Sequence, residues 1–284
     1  MMKSPNSASS SSRLEAHRRR SGYLDRMPPV RQPVLFLSHG SPMNAIADNS
    51  WTREQRRLGA GLEKPRAAVV VSAHWWTHGT FVQASAHPET IHDFGGFPRE
   101  LFEVRYPAPG NPELASEIGS LLGGDTTPEW GLDHGAWSVL ARLFPDADVP
   151  VVQVSMDTDL SPKGHLEMGR KLSNLRDRGI LVLASGTMTH NLRDASRRAQ
   201  TGDASVPEWA QRFDASASRA VETRDTERLL GLHATQDGRL AHPTPDHWFP
   251  LLWAYGASDA ADPLSYPVEG FDMGSMSMRS MRWG

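Results

Sequence analysis

Val34-Leu35-Phe36-Leu37 runs without polar alternation into Ser38-His39, Val69-Val70-Val71 runs into Ser72-Ala73-His74, and Ile180-Leu181-Val182-Leu183 runs into Ala184-Ser185-Gly186-Thr187-Met188-Thr189-His190. Short Val/Ile/Leu runs of this kind read as strands covered on both faces, which means a parallel sheet with helices on either side. In such open sheets the ligand crevice lies beyond the carboxyl ends of the strands. The three histidines therefore stand where chemistry is expected rather than where packing is.

A fourth histidine joins them in His242-Pro243-Thr244-Pro245-Asp246-His247-Trp248, where a double-proline turn presents His247 ahead of the apolar stretch Trp248 to Tyr255. The convergence of His39, His74, His190 and His247 would make a metal centre, since neutral imidazole is the commonest protein ligand. With no cysteine in 284 residues, thiolate zinc sites, iron-sulfur clusters and disulfides are excluded. Nitrogen and oxygen donors suit Zn(II) or non-haem Fe(II). Of the other histidines, His17 lies in a polar segment, and His165 and His233 fall in helical patterns that predict solvated or capping groups.

The order of elements predicts an α/β fold, a central, mostly parallel sheet flanked by helices with the metal site at the carboxyl ends of the strands. Strands are expected at 33–38, 67–73, 80–86, 149–155 and 180–185, and helices at 51–62, 112–122, 135–144, 163–178, 207–222 and 247–256. Asn111-Pro112 supplies an N-cap and an N1 proline for the second helix. Met273 to Trp283 alternates polar and apolar residues and reads as a late edge strand, its methionines as core filler. Ile91 to Asn111 lacks periodicity and is long enough to be a lid or binding loop. Its Phe94, Phe97 and Tyr106 are candidates for stacking on a planar substrate, and Gly95-Gly96 for a hinge; the alternative is an irregular connection with a small core of its own.

Residues 1–32 carry seven Lys/Arg against two Asp/Glu, a net +5, which leaves −8 on the rest of a chain whose formal charge is −3. The Ser-rich, basic stretch has too little apolar content to offset the entropy of ordering, so a disordered tail at 1–32 and one domain at 33–284 are expected, with Met27 an alternative start. An acidic body argues against nucleic acid as a partner. The absence of an apolar run of ~20 residues and of a signal-peptide pattern predicts no membrane association and a cytoplasmic location. Oligomeric state has no signature in the sequence.

Six ordered segments carry a resemblance: Ser38-His39-Gly40-Ser41-Pro42-Met43, Ser72-Ala73-His74-Trp75, Asp93-Phe94-Gly95-Gly96-Phe97-Pro98, Leu132-Asp133-His134-Gly135, His190-Asn191-Leu192 and Pro243-Thr244-Pro245-Asp246-His247. Together they resemble the class III extradiol ring-cleavage dioxygenases of the DOPA 4,5-dioxygenase type, over roughly residues 33–283. The resemblance implies one non-haem divalent metal on His39, His74 and His247, with His190 a fourth ligand or a base, Fe(II) for activity and Zn(II) accommodated in isolated protein. It also implies a small aromatic diol and O2 as reactants, with His134 and His190 making the proton transfers. A histidine in place of the carboxylate of the usual facial triad leaves the ion more positive, which favours a catecholate. Arg105 and Arg193 are candidates for binding a substrate carboxylate. A zinc-dependent hydrolase and a non-enzymatic binding protein of the same fold are the alternatives. Ser185-Gly186 lacks the G-x-S-x-G elbow of a serine hydrolase.

Overall fold

The computed structural model describes residues 29–284. Of the tail expected at 1–32, residues 1–28, with His17 and the alternative start Met27, lie outside the described residues. The body begins at Arg31, and the Gln32 N–H donates to the Arg176 carbonyl at 3.0 Å.

Eight strands form one sheet. In chain order they are β1 (Val34–Ser38), β2 (Ala67–Thr77), β3 (Phe81–Gln83), β4 (Asp125–Thr127), β5 (Val151–Asp157), β6 (Ile180–Gly186), β7 (Leu264–Val268) and, after the small hairpin β8 (Phe271–Asp272) and β9 (Met276–Ser277), β10 (Ser280–Trp283). Their order across the sheet is β4-β3-β5-β2-β6-β1-β10-β7. The central β5, β2, β6 and β1 are parallel, while β10 runs antiparallel to β1 and β7 antiparallel to β10.

Alternate strand residues face opposite layers. Val34, Phe36, Val69, Val71, Val182 and Ala184 pack into one core with α3 (Pro112–Leu122), α5 (Pro162–Leu172), α7 (Glu208–Glu222) and α10 (Phe249–Ala257). Leu35, Leu37, Ala68, Val70, Leu181 and Leu183 pack into the other with α1 (Ser50–Ala60) and α4 (His134–Leu143). Covering both faces is what removes polar alternation from these strands. As the sequence predicts, the Asn111 side chain accepts from the Leu114 N–H at the start of α3, with Pro112 at N1.

The structure departs from expectation in instructive places. Met273 to Trp283 does not end at an edge: β10 sits between β1 and β7, with Met276, Met278 and Met281 buried. Its buried sides come from a strand, β7, whose exposed and partly buried residues give little periodic signal. The helix expected at 163–178 is α5 followed by a 3-10 turn, Ser173–Arg178, closed by Gly179 in the left-handed region at φ 77°. Strand β4 and the helices α2 (Arg99–Phe102), α6 (Leu192–Thr201), α8 (Thr226–Gly231) and α9 (Gln236–Ala241) were not expected; most are short and polar, held by tertiary contacts rather than periodicity. His165 is fully buried rather than solvated or capping, and its Nδ1 accepts from Trp253 Nε1–H at 3.0 Å. His233 is half-buried, with Nε2 at 3.1 Å from the His242 carbonyl. No helix of the described residues is long and apolar enough to cross a membrane.

Candidate functional site

His39 follows β1 directly, and its backbone N–H donates to the Gly186 carbonyl at the end of β6. His74 lies inside β2, not beyond it. The register of β2 against β5 shifts between Val71 and Trp76, and an irregularity of this kind re-aims the side chains within it. His134 opens α4, whose N-cap Asp133 accepts from the Ala136 N–H. Asp133 is fully buried and also accepts from Ser72 Oγ at 2.6 Å and from Gln153 Nε2, and burial pushes its carboxyl above the usual range. A Cβ on Gly135 would stand 2.4 Å from Ser72 Oγ and 2.8 Å from His74 Cδ2, so only glycine lets α4 come this close to β2. His190 and His247 come from the turns after β6 and before α10. Thr189 Oγ1 donates to the Ser275 carbonyl at 2.7 Å and accepts from the Ser277 N–H at 2.6 Å, which ties the His190 turn to the C-terminal segment.

Five imidazoles meet at this end of the sheet. The ring centroids of His39, His74 and His247 mark a triangle with sides of 5.0, 5.1 and 5.0 Å. His134 lies 3.9 Å from His74 and 5.6 Å from His39. His190 stacks on His247, centroids 3.4 Å apart and planes 8° from parallel. Potential ligand atoms lie within 4.8 Å of one another in each of two groups, His39/His74/His134 and His190/Asp246/His247.

Hydrogen bonds set the tautomers of His39 and His247. Ser185 Oγ–H donates to the Gly135 carbonyl at 2.5 Å, so toward His39 Nδ1, 2.9 Å away, it accepts; Nδ1 carries the proton and Nε2 the lone pair. His247 Nδ1 faces the Asp246 carboxylate, and its Nε2 is buried without a hydrogen-bond partner. His74 Nδ1 lies 3.3 Å from Asp93 Oδ2, an ion-pair contact. His39 Nε2 and His74 Nε2 face each other at 3.2 Å, within hydrogen-bond distance. A cation held between them would take the place of that contact. An ion bound at ~2.0–2.1 Å to two imidazoles separates their nitrogens by about 3 Å, so the residues fit a metal, each ligand backed by an acceptor on its other nitrogen.

The electrostatics agree with neutral, ligand-ready rings. Burial, reinforced by the surrounding imidazoles, holds His39 and His247 well below the ordinary histidine range. Burial lowers His74 to about 3 and His190 to about 4. Asp93 is driven up by burial but pulled further down by its bonds to His134, and stays ionised.

The loop candidates divide. Phe94 presents its edge to His134 at 5.4 Å and packs against Phe97 and Phe102. Tyr106 is 2 % exposed and its hydroxyl donates to the Phe144 carbonyl, so it supports the loop and does not face a substrate. Arg105 spends its Nη1 on the carbonyls of Phe102 and Val104, and Arg193 is exposed in the first turn of α6. The structure adds Ser185 and Asp93 to the residues that orient the cluster. Ser185 had a signal in its strand-end position, whereas nothing in the spacing of Asp93 connects it to His74 or His134.

Residues 33–273 match the family model of the catalytic LigB subunit of aromatic ring-opening dioxygenase. The chain is 46% identical over 265 residues to the 4,5-DOPA dioxygenase extradiol of Escherichia coli (strain K12), covering 91% of this chain and 97% of that protein. It is 36% identical over 260 residues to the 4,5-DOPA dioxygenase extradiol of Beta vulgaris, covering 88% and 96%. A crystal structure of an uncharacterized Escherichia coli K12 protein superposes with a TM-score of 0.77 at 42% identity, covering 89% of this chain and all (100%) of that one.

Proposed function

The chain belongs to the family of the catalytic LigB subunit of aromatic ring-opening dioxygenases and is a class III extradiol ring-cleavage enzyme; from that premise we propose that it opens the ring of a small catechol of the DOPA type, using one divalent metal held by His39, His74 and His247. The observation that carries the reading is the convergence of the His39, His74 and His247 rings, centroids 5.0, 5.1 and 5.0 Å apart, with Ser185, Asp93 and Asp246 against their other nitrogens. When bound, such an ion, Fe(II) for activity, supplies positive charge that stabilises an ionised catechol and an electron path between the diol and O2. Zn(II) would satisfy the same nitrogen donors without the redox chemistry.

The protein's own groups handle the protons. A catechol hydroxyl resembles a phenol with a pKa of ~10, so ionising it at pH 7 costs roughly 4 kcal/mol. His190, neutral because burial lowers it to about 4, accepts a proton at a ring nitrogen. Its parallel stack on His247 supports a base rather than a fourth ligand, because lone pairs in parallel planes do not converge on one ion. His134 has Nδ1 committed to Asp93, 2.9 Å away, and uses Nε2 to pass a proton to or from the opening ring. Phe94, edge-on to His134, bounds the space beside the reacting diol and limits water there. Both atoms of O2 enter the product, so no external reductant is required. The relatives carry dioxygenase names, and neither the hydrolase nor the binding-protein alternative gains support from them.

Anaerobic loading with Fe(II), then admission of oxygen with a panel of catechols, tests the reading. Stoichiometric oxygen uptake with a yellow ring-opened product is expected, with carboxylate-bearing catechols among the substrates. Oxygen-independent ester or amide hydrolysis with Zn(II), and no uptake with any catechol, would reject it.

A further inference from the structure

One carboxylate serves two histidines of different function. Asp93 Oδ2 lies 2.9 Å from His134 Nδ1 and 3.3 Å from His74 Nδ1, and Oδ1 accepts the His134 backbone N–H at 2.9 Å. His74 sits on β2 and His134 on the first turn of α4, so the carboxylate bridges two elements from a third segment, the 91–111 loop. Of the two contacts the one to His134 is a hydrogen bond, which puts the His134 proton on Nδ1 and its lone pair on Nε2, while the longer one holds the Nδ1 edge of His74 against the carboxylate. The rings lie 3.9 Å apart, tilted by 48°, with the side chains of Asp93 and His74 each 19 % exposed. The next residue, Phe94, stands edge-on to His134 at 5.4 Å, and Trp137 Nε1 of α4 donates to the Ile91 carbonyl at 2.8 Å, so the loop is fastened to α4 on both sides of Asp93.

We infer that Asp93 is a positioning residue that sets the aim of His74 and the tautomer of His134 together, so that metal affinity and proton transfer both depend on this one carboxylate of the 91–111 loop. This rests on the reading of His74 as a metal ligand and His134 as a proton-transfer group. Acceptors behind a metal-bound histidine fix its orientation and raise its basicity, and their loss typically weakens metal binding 10- to 100-fold. For His134 the same contact decides which nitrogen faces the substrate. A wrong tautomer places an N–H where a lone pair is needed, or the reverse, and slows turnover without loosening substrate binding.

The test uses the full-length protein, freed of metal and titrated with Co(II) by calorimetry and by its visible absorption, alongside Fe(II)-loaded turnover. Asp93→Asn keeps the shape but offers an amide that no longer requires N–H from His134 and no longer carries the charge beside His74. It is expected to melt within a few degrees of the parent, to bind Co(II) ~10- to 100-fold more weakly with an altered spectrum, and at saturating Fe(II) to lose kcat at least ~10-fold with little change in KM. In the Asp93→Asn/His134→Gln double variant the Co(II) loss should persist, while turnover should fall no lower than in His134→Gln alone, because the second effect acts through His134. Co(II) affinity within about twofold of the parent in Asp93→Asn, together with its loss in His74→Ala, overturns the role given to Asp93. Co(II) retained by a folded His74→Ala protein overturns instead the ligand reading beneath it. Should Asp93→Asn not fold, Asp93→Glu serves in its place: a smaller loss of affinity is expected, and none counts against the proposal.

Discussion

Two regions of this molecule enclose histidines and use them differently. In the helical layer His165 and His242 are both fully buried. His165 Nδ1 accepts from Trp253, His242 Nε2 donates to the Met188 carbonyl at 3.0 Å, and each keeps one nitrogen buried without a partner. At the carboxyl end of the sheet His39 and His247 are also buried and His74 is half-buried, and His247 likewise has an orphaned nitrogen. Burial lowers the proton affinity of both sets, His165 to about 4 and His242 to about 3. An orphaned nitrogen therefore does not mark a site. Convergence does: the core histidines point at an indole and a carbonyl, whereas the sheet-end nitrogens point at one another and carry Ser185, Asp93 and Asp246 behind them.

The sharpest way to break this comparison is to remove one ring from each set. His39→Ala, His74→Ala or His247→Ala should abolish stoichiometric metal binding and turnover, while His165→Gln and His242→Gln should retain both. Elemental analysis of folded protein decides it, and one metal per chain in His74→Ala would contradict the assignment. Next in size is His134→Gln, which should keep metal occupancy near the parent's while lowering turnover by ~10² to 10⁴. A stable, fully active His134→Gln protein would leave proton transfer to His190.

Metal removal tests the convergent set through stability. A ligand that binds only the folded state stabilises it by ~2.7 kcal/mol at one hundred times its dissociation constant. Zn(II) at that excess should raise the melting temperature of the parent and of His165→Gln, and leave His247→Ala unmoved; equal shifts in all three would place the ion elsewhere.

The smallest effect concerns acid. The folded-state value of His165, about 4, lies below the ~6.5 of an unfolded histidine. Below that pH the unfolded chain takes up the proton first, so the stability is present above ~6.5 and is lost as pH falls toward 4. From pH 6.5 to 5 the cost is on the order of 2 kcal/mol. Replacing His165 by Gln should flatten the fall in melting temperature over that interval, and an unchanged slope would show that His165 does not carry it.

How much was legible follows from what each signal measures. Runs such as Val34–Leu37 and Ile180–Leu183 reveal strands buried on both faces because water is excluded from both sides of them, and histidines at their ends follow from the topology of such sheets. The edge placement of residues 273–283 failed because alternation reports which face is buried, not which neighbour pairs with the strand. His165 was misjudged because helical position says nothing of what packs on it, and Trp253 is 88 residues away in sequence.

The sequence by itself determined the α/β class, the grouping of histidines toward one end of the sheet and, through six ordered motifs, the family, because periodicity and local motif are properties of neighbours along the chain. Only the tertiary structure decided that His190 stacks on His247, that Ser185 holds the proton of His39 away from Nε2, and that Asp93 grips two histidines 19 and 41 residues distant. Tautomer and aim depend on hydrogen bonds between groups remote in sequence. Those bonds exist only after the sheet and its two helical layers have closed around the site.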